Sequence, residues 1–166
     1  MCIRDSVGAM NPCPCGYAGD PRRDCRCTPQ QIDRYRRHLS GPLRDRLDLT
    51  IEVAALAPEA MTDTEKSEPS SAIRERVMAA RARQRIRYGP DGPSANGMLT
   101  PTLVSRHCRP DGAGARLLSA AVERLGLSAR GYDRVRKVAR TIADLAGVEQ
   151  VAGDHVAEAL QFRMST

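Results

Sequence analysis

Four of the chain's six cysteines fall within fifteen residues, as Cys13-Pro14-Cys15 and Cys25-Arg26-Cys27. Pro12 and Pro14 hold their segment extended, and residues two apart in an extended chain point the same way. Cys13 and Cys15 can therefore converge on one point, and Cys25 and Cys27 can do the same after a nine-residue loop. Four thiolates so gathered form a closed tetrahedral zinc site with no open position, which makes such a metal structural rather than catalytic. Reduced, metal-free thiols are the alternative, because C-x-C spacing is less standard for zinc than C-x-x-C. Cys108, beside His107 in a helical zone, reads as a packed residue and not as a fifth ligand.

The remainder of the chain bounds what such a clip can serve. With 166 residues, 41% of them hydrophobic, it can bury one good core or two small ones. No stretch approaches the roughly 18 apolar residues of a membrane helix and no signal peptide precedes the cysteines, so a soluble, cytoplasmic protein with reduced thiols and no membrane partner is expected. The formal charge of +6 invites a polyanion, yet Lys66 and Lys137 are the only lysines, and a skew to arginine that strong fits genome composition. Five aromatics, Tyr17, Tyr35, Tyr88, Tyr132 and Phe162, are too few for a base-stacking platform.

Pattern and punctuation divide the chain. Residues 1–6 are mixed and carry no turn or cap logic, so they read as a non-native leader or a disordered terminus. Val7-Gly8-Ala9-Met10 reads as the end of a buried strand. Thr28, Pro29 and Gln31 have the form of an N-cap, a proline at the first helical position and a reciprocal capping partner. Ile32, Tyr35, Arg36 and Leu39 share a face of that helix, which should stop near Ser40-Gly41-Pro42. Leu47, Leu49, Ile51 and Val53 then alternate with Asp48, Thr50 and Glu52, the period of a half-buried strand. Residues 7–57 thus form one zone and residues 58–69, with their prolines and acids, a linker.

Residues 70–166 read as helical throughout. Ser70 or Ser71 caps a helix to about Tyr88, with Ile73, Val77, Ala80 and Gln84 inward and six arginines outward. Thr100-Pro101 starts a short helix ending near Cys108. Asp111 caps the next, with Leu117, Leu118, Ala121, Val122 and Leu125 apolar before Gly126 ends it. Ser128 opens the most regular helix, with Tyr132, Val135, Val138, Ala139, Ile142 and Leu145 on one stripe and Gly147 behind it. A last helix spans about Asp154 to Arg163. Five short helices with brief connectors make a small bundle.

Three polar residues stand out beside the cysteines. Asn11, at a strand's end, can orient a water or touch a phosphate, although alone it would be a turn former. Arg46 precedes a strand, where a planar cation can be aimed outward from a rigid edge toward phosphate oxygens on a neighbouring molecule. A solvated arginine is the bland alternative. Arg130 lies in the first turn of the helix opened by Ser128, where the helix dipole disfavours a cation by roughly 0.3–1 kcal/mol. An anion meeting it there would explain the placement, since free backbone N–H groups at the same end also favour phosphate.

In order, Ala9-Met10-Asn11-Pro12-Cys13-Pro14-Cys15-Gly16, Cys25-Arg26-Cys27-Thr28-Pro29, Ser40-Gly41-Pro42-Leu43-Arg44-Asp45-Arg46-Leu47-Asp48-Leu49, and Leu125 to Tyr132 running into Val138 to Leu145 resemble the C-terminal portion of magnesium-chelatase-like AAA+ ATPases of the ComM/YifB type. The resemblance runs from about Val7 to Arg163. It implies an α/β remnant of an AAA+ core followed by an all-α lid bundle, mostly α overall. It also implies that Asn11 is the sensor 1 asparagine positioning the hydrolytic water, Arg46 the arginine finger reaching a neighbouring subunit's nucleotide, and Arg130 the sensor 2 arginine directed at the terminal phosphate. ATP and Mg2+ are the implied cofactors, identical subunits in a hexameric ring and DNA the implied partners, and DNA branch migration during natural transformation the implied role.

Arg44 departs from the family, which commonly has a second leucine there. More consequentially, no G-x-x-x-x-G-K run occurs anywhere and no acidic strand end precedes Asn11. Lacking the phosphate-cradling loop and the metal-holding acid, the chain alone is expected not to hydrolyse ATP. Two other readings stand beside the motor fragment. One is a zinc-stabilised module gripping nucleic acid with the arginine-rich helix from Ser71 to Tyr88, and the other is a magnesium-chelatase subunit of the same fold.

Overall fold

The computed structural model describes residues 7–44, 46–54 and 68–164. The expected leader, residues 1–6, and residues 58–67 of the expected linker lie outside the described residues. The chain divides into two compact units, one holding residues up to Arg46 with Val53–Met61, the other Leu47–Glu52 with residues from Thr62 onward.

In the first unit the cysteine loop leads into α1 (Pro29–Arg36) and a single turn, α2 (Gly41–Arg44). The capping box forms as read: Gln31 N–H donates to Thr28 Oγ1 at 3.3 Å, and Thr28 N–H donates to Gln31 Oε1 at 2.9 Å. The helix ends at Arg36, earlier than the glycine-proline break suggests, and no residue of α1 is buried. Ile32, Tyr35 and Leu39 are half-buried while Arg36 is exposed. Gly41-Pro42 does not stop a helix but starts one, proline being well suited to a first turn.

Neither expected strand forms: among the described residues there is no strand, and the one bridge is an isolated parallel pair, Pro110 with Val151. Residues 47–54 run without a ladder, leaving Leu49, Ile51 and Val53 exposed at 48%, 66% and 91%. Alternation marks a chain suited to a sheet, but a strand exists only where a neighbour completes its hydrogen bonds. The fold is mostly helical, and the α/β remnant is not seen in it.

The second unit contains the five expected helices: α3 (Ser70–Tyr88), α4 (Pro101–His107), α5 (Gly112–Leu125), α6 (Ala129–Ala146) and α7 (Gly153–Met164), with a 3-10 turn at Asn96–Met98. Local chemistry sets most ends. Thr100, Asp111 and Ser128 each accept a backbone N–H at the third helical position, and Gly126 and Gly147 close α5 and α6 in the left-handed conformation. The start of α3 differs from expectation, for Pro69 holds the cap position and no serine hydroxyl caps it.

The core gathers Leu118 and Ala121 of α5, Val135, Ala139 and Ala143 of α6, and Val156, Ala159 and Leu160 of α7, with Val151 between. Gly114 lets α5 approach closely, because a Cβ there would lie 2.8 Å from Pro110 Cβ and 3.0 Å from Val156 Cγ2. A smaller cluster joins Leu99, Val104 and Cys108 to Tyr88 and Leu103, so Cys108 is the packed residue its setting suggests. Its burial pushes the Cys108 thiol up to about 11.

The arginine-rich helix departs most from its reading. Ile73 and Val77 are exposed, and only Ala80 and Gln84 are buried. Leu117, Val122, Leu125 and Leu145 are likewise exposed at the edges of their stripes. Arg83 and Arg87, expected outward, turn inward onto α6. Arg87 grips the fully buried Asp144 carboxylate through both its terminal nitrogens, at 2.6 and 3.0 Å. Asn96 Nδ2 donates to the same carboxylate at 2.9 Å, Arg140 Nε at 3.2 Å, and Arg83 Nη1 donates to the Asp144 carbonyl at 3.0 Å. Tyr88 OH in turn donates to Asn96 Oδ1 at 2.6 Å. Burial alone would raise the Asp144 carboxyl, yet the hydrogen bonds from Arg87 and Asn96 with the nearby guanidinium charges hold it below the usual carboxylate range.

Candidate functional site

The cysteine loop of the first unit folds on itself through two glycines with positive φ, Gly16 at 85° and Gly19 at 83°, a backbone region that side chains resist. Gly16 N–H closes a turn onto the Cys13 carbonyl at 3.0 Å. This places Cys13, Cys15, Cys25 and Cys27 so that their sulfurs all lie within 4.8 Å of one another. Cys13 Sγ stands 3.4 Å from Cys15 Sγ and 3.7 Å from Cys25 Sγ, and Cys15 Sγ stands 3.6 Å from Cys25 Sγ. A disulfide would need about 2.05 Å, and the described cysteines are free. Zinc–sulfur bonds of about 2.3 Å place tetrahedral ligands roughly 3.8 Å apart, so the observed spacing fits a four-thiolate ion.

The thiols are not equivalent. Cys15 is lowered to about 6, chiefly by the backbone N–H groups of Tyr17 and Arg26. Burial pushes Cys27 up to about 12. Cys13 is lowered despite burial, helped by the Ala18 N–H at 3.3 Å, while Cys25 is raised. A cation at the centre would resolve this conflict, because it favours thiolate at every position. Outside the sulfurs, Arg23 Nη1 donates to Tyr17 OH at 2.7 Å and tacks down the loop.

Asn11 is exposed at the entrance to this loop, and a side chain added at Gly16 would begin 3.9 Å from Asn11 Nδ2. Arg46 is exposed in the turn after α2, its N–H donating to the Leu43 carbonyl at 2.9 Å. The helical turn, and not a strand edge, is what carries it. Both belong to the first unit. Arg130 belongs to the second, exposed at the second position of α6. Ser128 Oγ accepts the Gly131 N–H at 3.1 Å there, and the first turn of α6 contains no acidic residue. The four thiols are thus brought together beside Asn11, while the two arginines project from separate bodies.

Two features escaped sequence reading. Asp144 lies within the segment Val138 to Leu145 that carries the family resemblance, but its role as the hub of a buried arginine network depends on partners 48 and 57 residues away. The second is an ion pair between Asp48 Oδ1 and Arg134 Nε at 3.3 Å, with no local signal. No helix among the described residues is long and apolar enough to cross a membrane.

Comparison with known proteins agrees with the resemblance. The family profile described as magnesium chelatase, subunit ChlI C-terminal, matches residues 67–163, and that of magnesium chelatase, subunit ChlI, matches residues 4–61. Competence protein ComM of Haemophilus influenzae is 43% identical over 159 residues, covering 95% of this chain and 30% of the relative. An uncharacterized protein of Mycobacterium tuberculosis is 41% identical, over 96% of this chain and 31% of its own length. The uncharacterized protein YifB of Escherichia coli is 38% identical, over 95% and 30%. The chain therefore spans about 30% of the length of these relatives. With both family profiles matched and these relatives aligned along nearly all of the chain, the protein belongs to the magnesium-chelatase-like AAA+ family, in its ComM/YifB branch.

Proposed function

We propose that this chain supplies the phosphate-sensing and structural parts of an AAA+ ATPase that acts on DNA, with Asn11 as sensor 1, Arg46 as arginine finger and Arg130 as sensor 2. In this reading residues 7–57 are the end of the AAA+ core, residues 58–69 a linker and residues 70–166 the lid. The subunits form a hexameric ring, the cofactors are ATP and Mg2+, and the ring works in the cytoplasm as a branch-migration helicase in natural transformation. What supports the DNA role is the similarity to competence protein ComM of Haemophilus influenzae.

The observation that carries the reading is the presentation of Arg130. Its guanidinium is exposed at a capped, acid-free helix start and makes no ion pair with another described residue, although a first-turn cation is unfavourable there. A planar, permanently charged fork in that position is suited to bind phosphate oxygens together with the helix's backbone N–H groups. ATP, held mainly by a P-loop and an acidic strand end this sequence lacks, would supply the phosphoryl group. The residues present here would orient and neutralise it. Arg46, equally exposed, is suited to approach developing charge on a neighbour's phosphates, and Asn11 to hold a water by its amide. The four-cysteine clip would hold a structural zinc ion, fixing the loop that begins at Asn11.

A test is a chimera in which this chain replaces the matching 30% of the Haemophilus influenzae relative. Arg46→Ala and Arg130→Ala should each cut its ATP hydrolysis by about a thousandfold, in keeping with the weight of arginine fingers. Full activity in either variant would refute the assigned roles.

The nucleic-acid-gripping module is the weaker alternative on structural grounds. Of the six arginines on α3, Arg83 and Arg87 are committed to Asp144 and Arg76 is paired with Glu68. Arg81 reaches the Ser94 carbonyl at 3.3 Å, so little of a free cationic stripe remains. The magnesium-chelatase subunit shares the fold, and the cysteine clip is what favours the ComM type.

A further inference from the structure

An open groove of about 470 Å³ lies between the cysteine loop and α1, inside the first unit. From the loop it is lined by Cys15, Cys27 and Arg26, the two thiols half-buried and the arginine exposed. The opposite wall follows from the register of α1. Gln31, Arg34 and Tyr35 are three and four residues apart and share a face. Past the helix, His38 N–H donates to the Tyr35 carbonyl at 3.1 Å, a turn that brings His38 to the same groove.

Charge sets this groove apart. Among the described residues no carboxylate lines it, although Asp24 and Asp33 stand close in sequence to Arg26 and Arg34. Asp33 instead lines a separate groove with Arg36 and Arg37, which therefore has a counter-charge of its own. Arg26 and Arg34 are exposed and form no ion pair with another described residue. Gln31 Oε1 is occupied by the Thr28 N–H, which leaves the amide nitrogen of that side chain as a donor. Residues 7–44 hold seven arginines against three aspartates, a surplus that outweighs the two formal negative charges of a zinc ion on four thiolates.

We infer that this groove holds a single strand of DNA, with Arg26 and Arg34 on phosphate oxygens, Gln31 as a further donor and Tyr35 against one unpaired base. This deepens the functional reading above: the choice of DNA as the polyanion rests on that reading, while the charge of the groove does not. Forked guanidinium groups suit phosphate oxygens, and a cleft of this volume is within the range, about 300–1,000 Å³, that holds a small ligand or one nucleotide of a strand. Backbone contacts with one stacked base carry no sequence information, so the contact is independent of sequence. A duplex offers Tyr35 no free base face, which makes the occupant a single strand. The clip gains a second use, because ordering Cys25 and Cys27 also places Arg26 between them.

The test is fluorescence anisotropy of the 166-residue chain, purified with zinc present, on a labelled oligothymidylate of about 20 nucleotides, without ATP and over a range of KCl concentrations. Arg26→Gln and Arg34→Gln should each weaken binding and flatten the slope of log affinity against log salt by about 0.7, the share of one phosphate contact on a single strand. Arg37→Gln removes the same charge from the other groove and should stay within about twofold of the parent, with the parent slope. Tyr35→Ala should weaken the single strand about fivefold or more and leave a duplex unchanged, whereas Tyr35→Phe, which keeps the ring, should bind like the parent. Zinc content and helical circular dichroism equal to the parent's separate lost contacts from a lost fold. No binding by the parent, equal losses in all three arginine variants, or an unaffected Tyr35→Ala would each overturn the groove alone, since the assay contains no ATP. An Arg46→Ala or Arg130→Ala chimera that still hydrolyses ATP would overturn the functional reading instead and leave the measured binding standing.

Discussion

Replacing Asp144 with asparagine removes the only buried carboxylate, among the described residues, of the network that joins α3, the Asn96 turn and α6. Its side chain is fully buried, and the side chains of Arg87 and Arg140 that bind it are only 10% and 3% exposed. Asparagine keeps the volume and one carbonyl oxygen, so the effect isolates charge and hydrogen bonding. Arg140 would be left in low dielectric without a counter-charge and Arg87 with only the exposed Glu149 at 4.0 Å, and breaking a buried pair in this way costs about 3–5 kcal/mol. Domains of this size are stable by about 5–15 kcal/mol and lose roughly 4–8 °C of Tm per kcal/mol. The Asp144→Asn chain should therefore unfold at least about 12 °C below the parent when helical circular dichroism is followed with temperature. Asp154→Asn, exposed in the first turn of α7, is the control and should move Tm by no more than a few degrees. A loss below about 1 kcal/mol at Asp144 would show that the arginines find other partners, and the network would not be what holds α3 to α6.

Other perturbations follow from the same geometry. The Asp144 carboxyl titrates lower in the folded chain than when unfolded, so the unfolded state binds the extra proton first. Its contribution should be complete above the unfolded value of about 3.9 and fade as pH falls through the folded value, a slope that denaturant titrations would find missing in Asp144→Asn. Purified under reducing conditions, the chain should carry about one zinc ion by elemental analysis, and Cys13→Ser with Cys25→Ser should remove it; metal-free parent chain with all thiols reactive would contradict the clip. Gly114→Ala, which drives a methyl against Pro110 and Val156, should destabilise by about 1–3 kcal/mol in urea unfolding, and a neutral result would mean α5 can withdraw freely.

Helix ends were the most legible part of the fold because their causes are local. Thr28 with Gln31, Thr100, Asp111, Ser128, Gly126 and Gly147 act within four residues of where they stand, so the sequence displays both cause and effect. Alternation at Leu47–Val53 was misleading for the converse reason: a strand is a property of two segments, and its pattern does not name the second. The inward turn of Arg87 was hidden for a related cause, since a charge is buried only where a distant opposite charge receives it, and Asp144 lies 57 residues on. In the candidate site, the convergence of the cysteines was readable from their proline-held spacing. The roles of Asn11 and Arg46 were not, because an exposed asparagine or arginine carries no local mark of its purpose; Arg130 alone of the three has a local hint, as a cation in a first helical turn. Those roles rest on the resemblance.

The central claim is that Arg46 acts on a neighbour's nucleotide and Arg130 on its own. Mixing Arg46→Ala and Arg130→Ala chimeras, each inactive alone, tests it directly. Some subunit boundaries in the mixed ring then pair an intact Arg46 with an intact Arg130, and hydrolysis should reappear at a sizeable fraction of the parent rate, on the order of a quarter. Mixtures as inactive as either variant alone, with rings of normal size, would contradict the account.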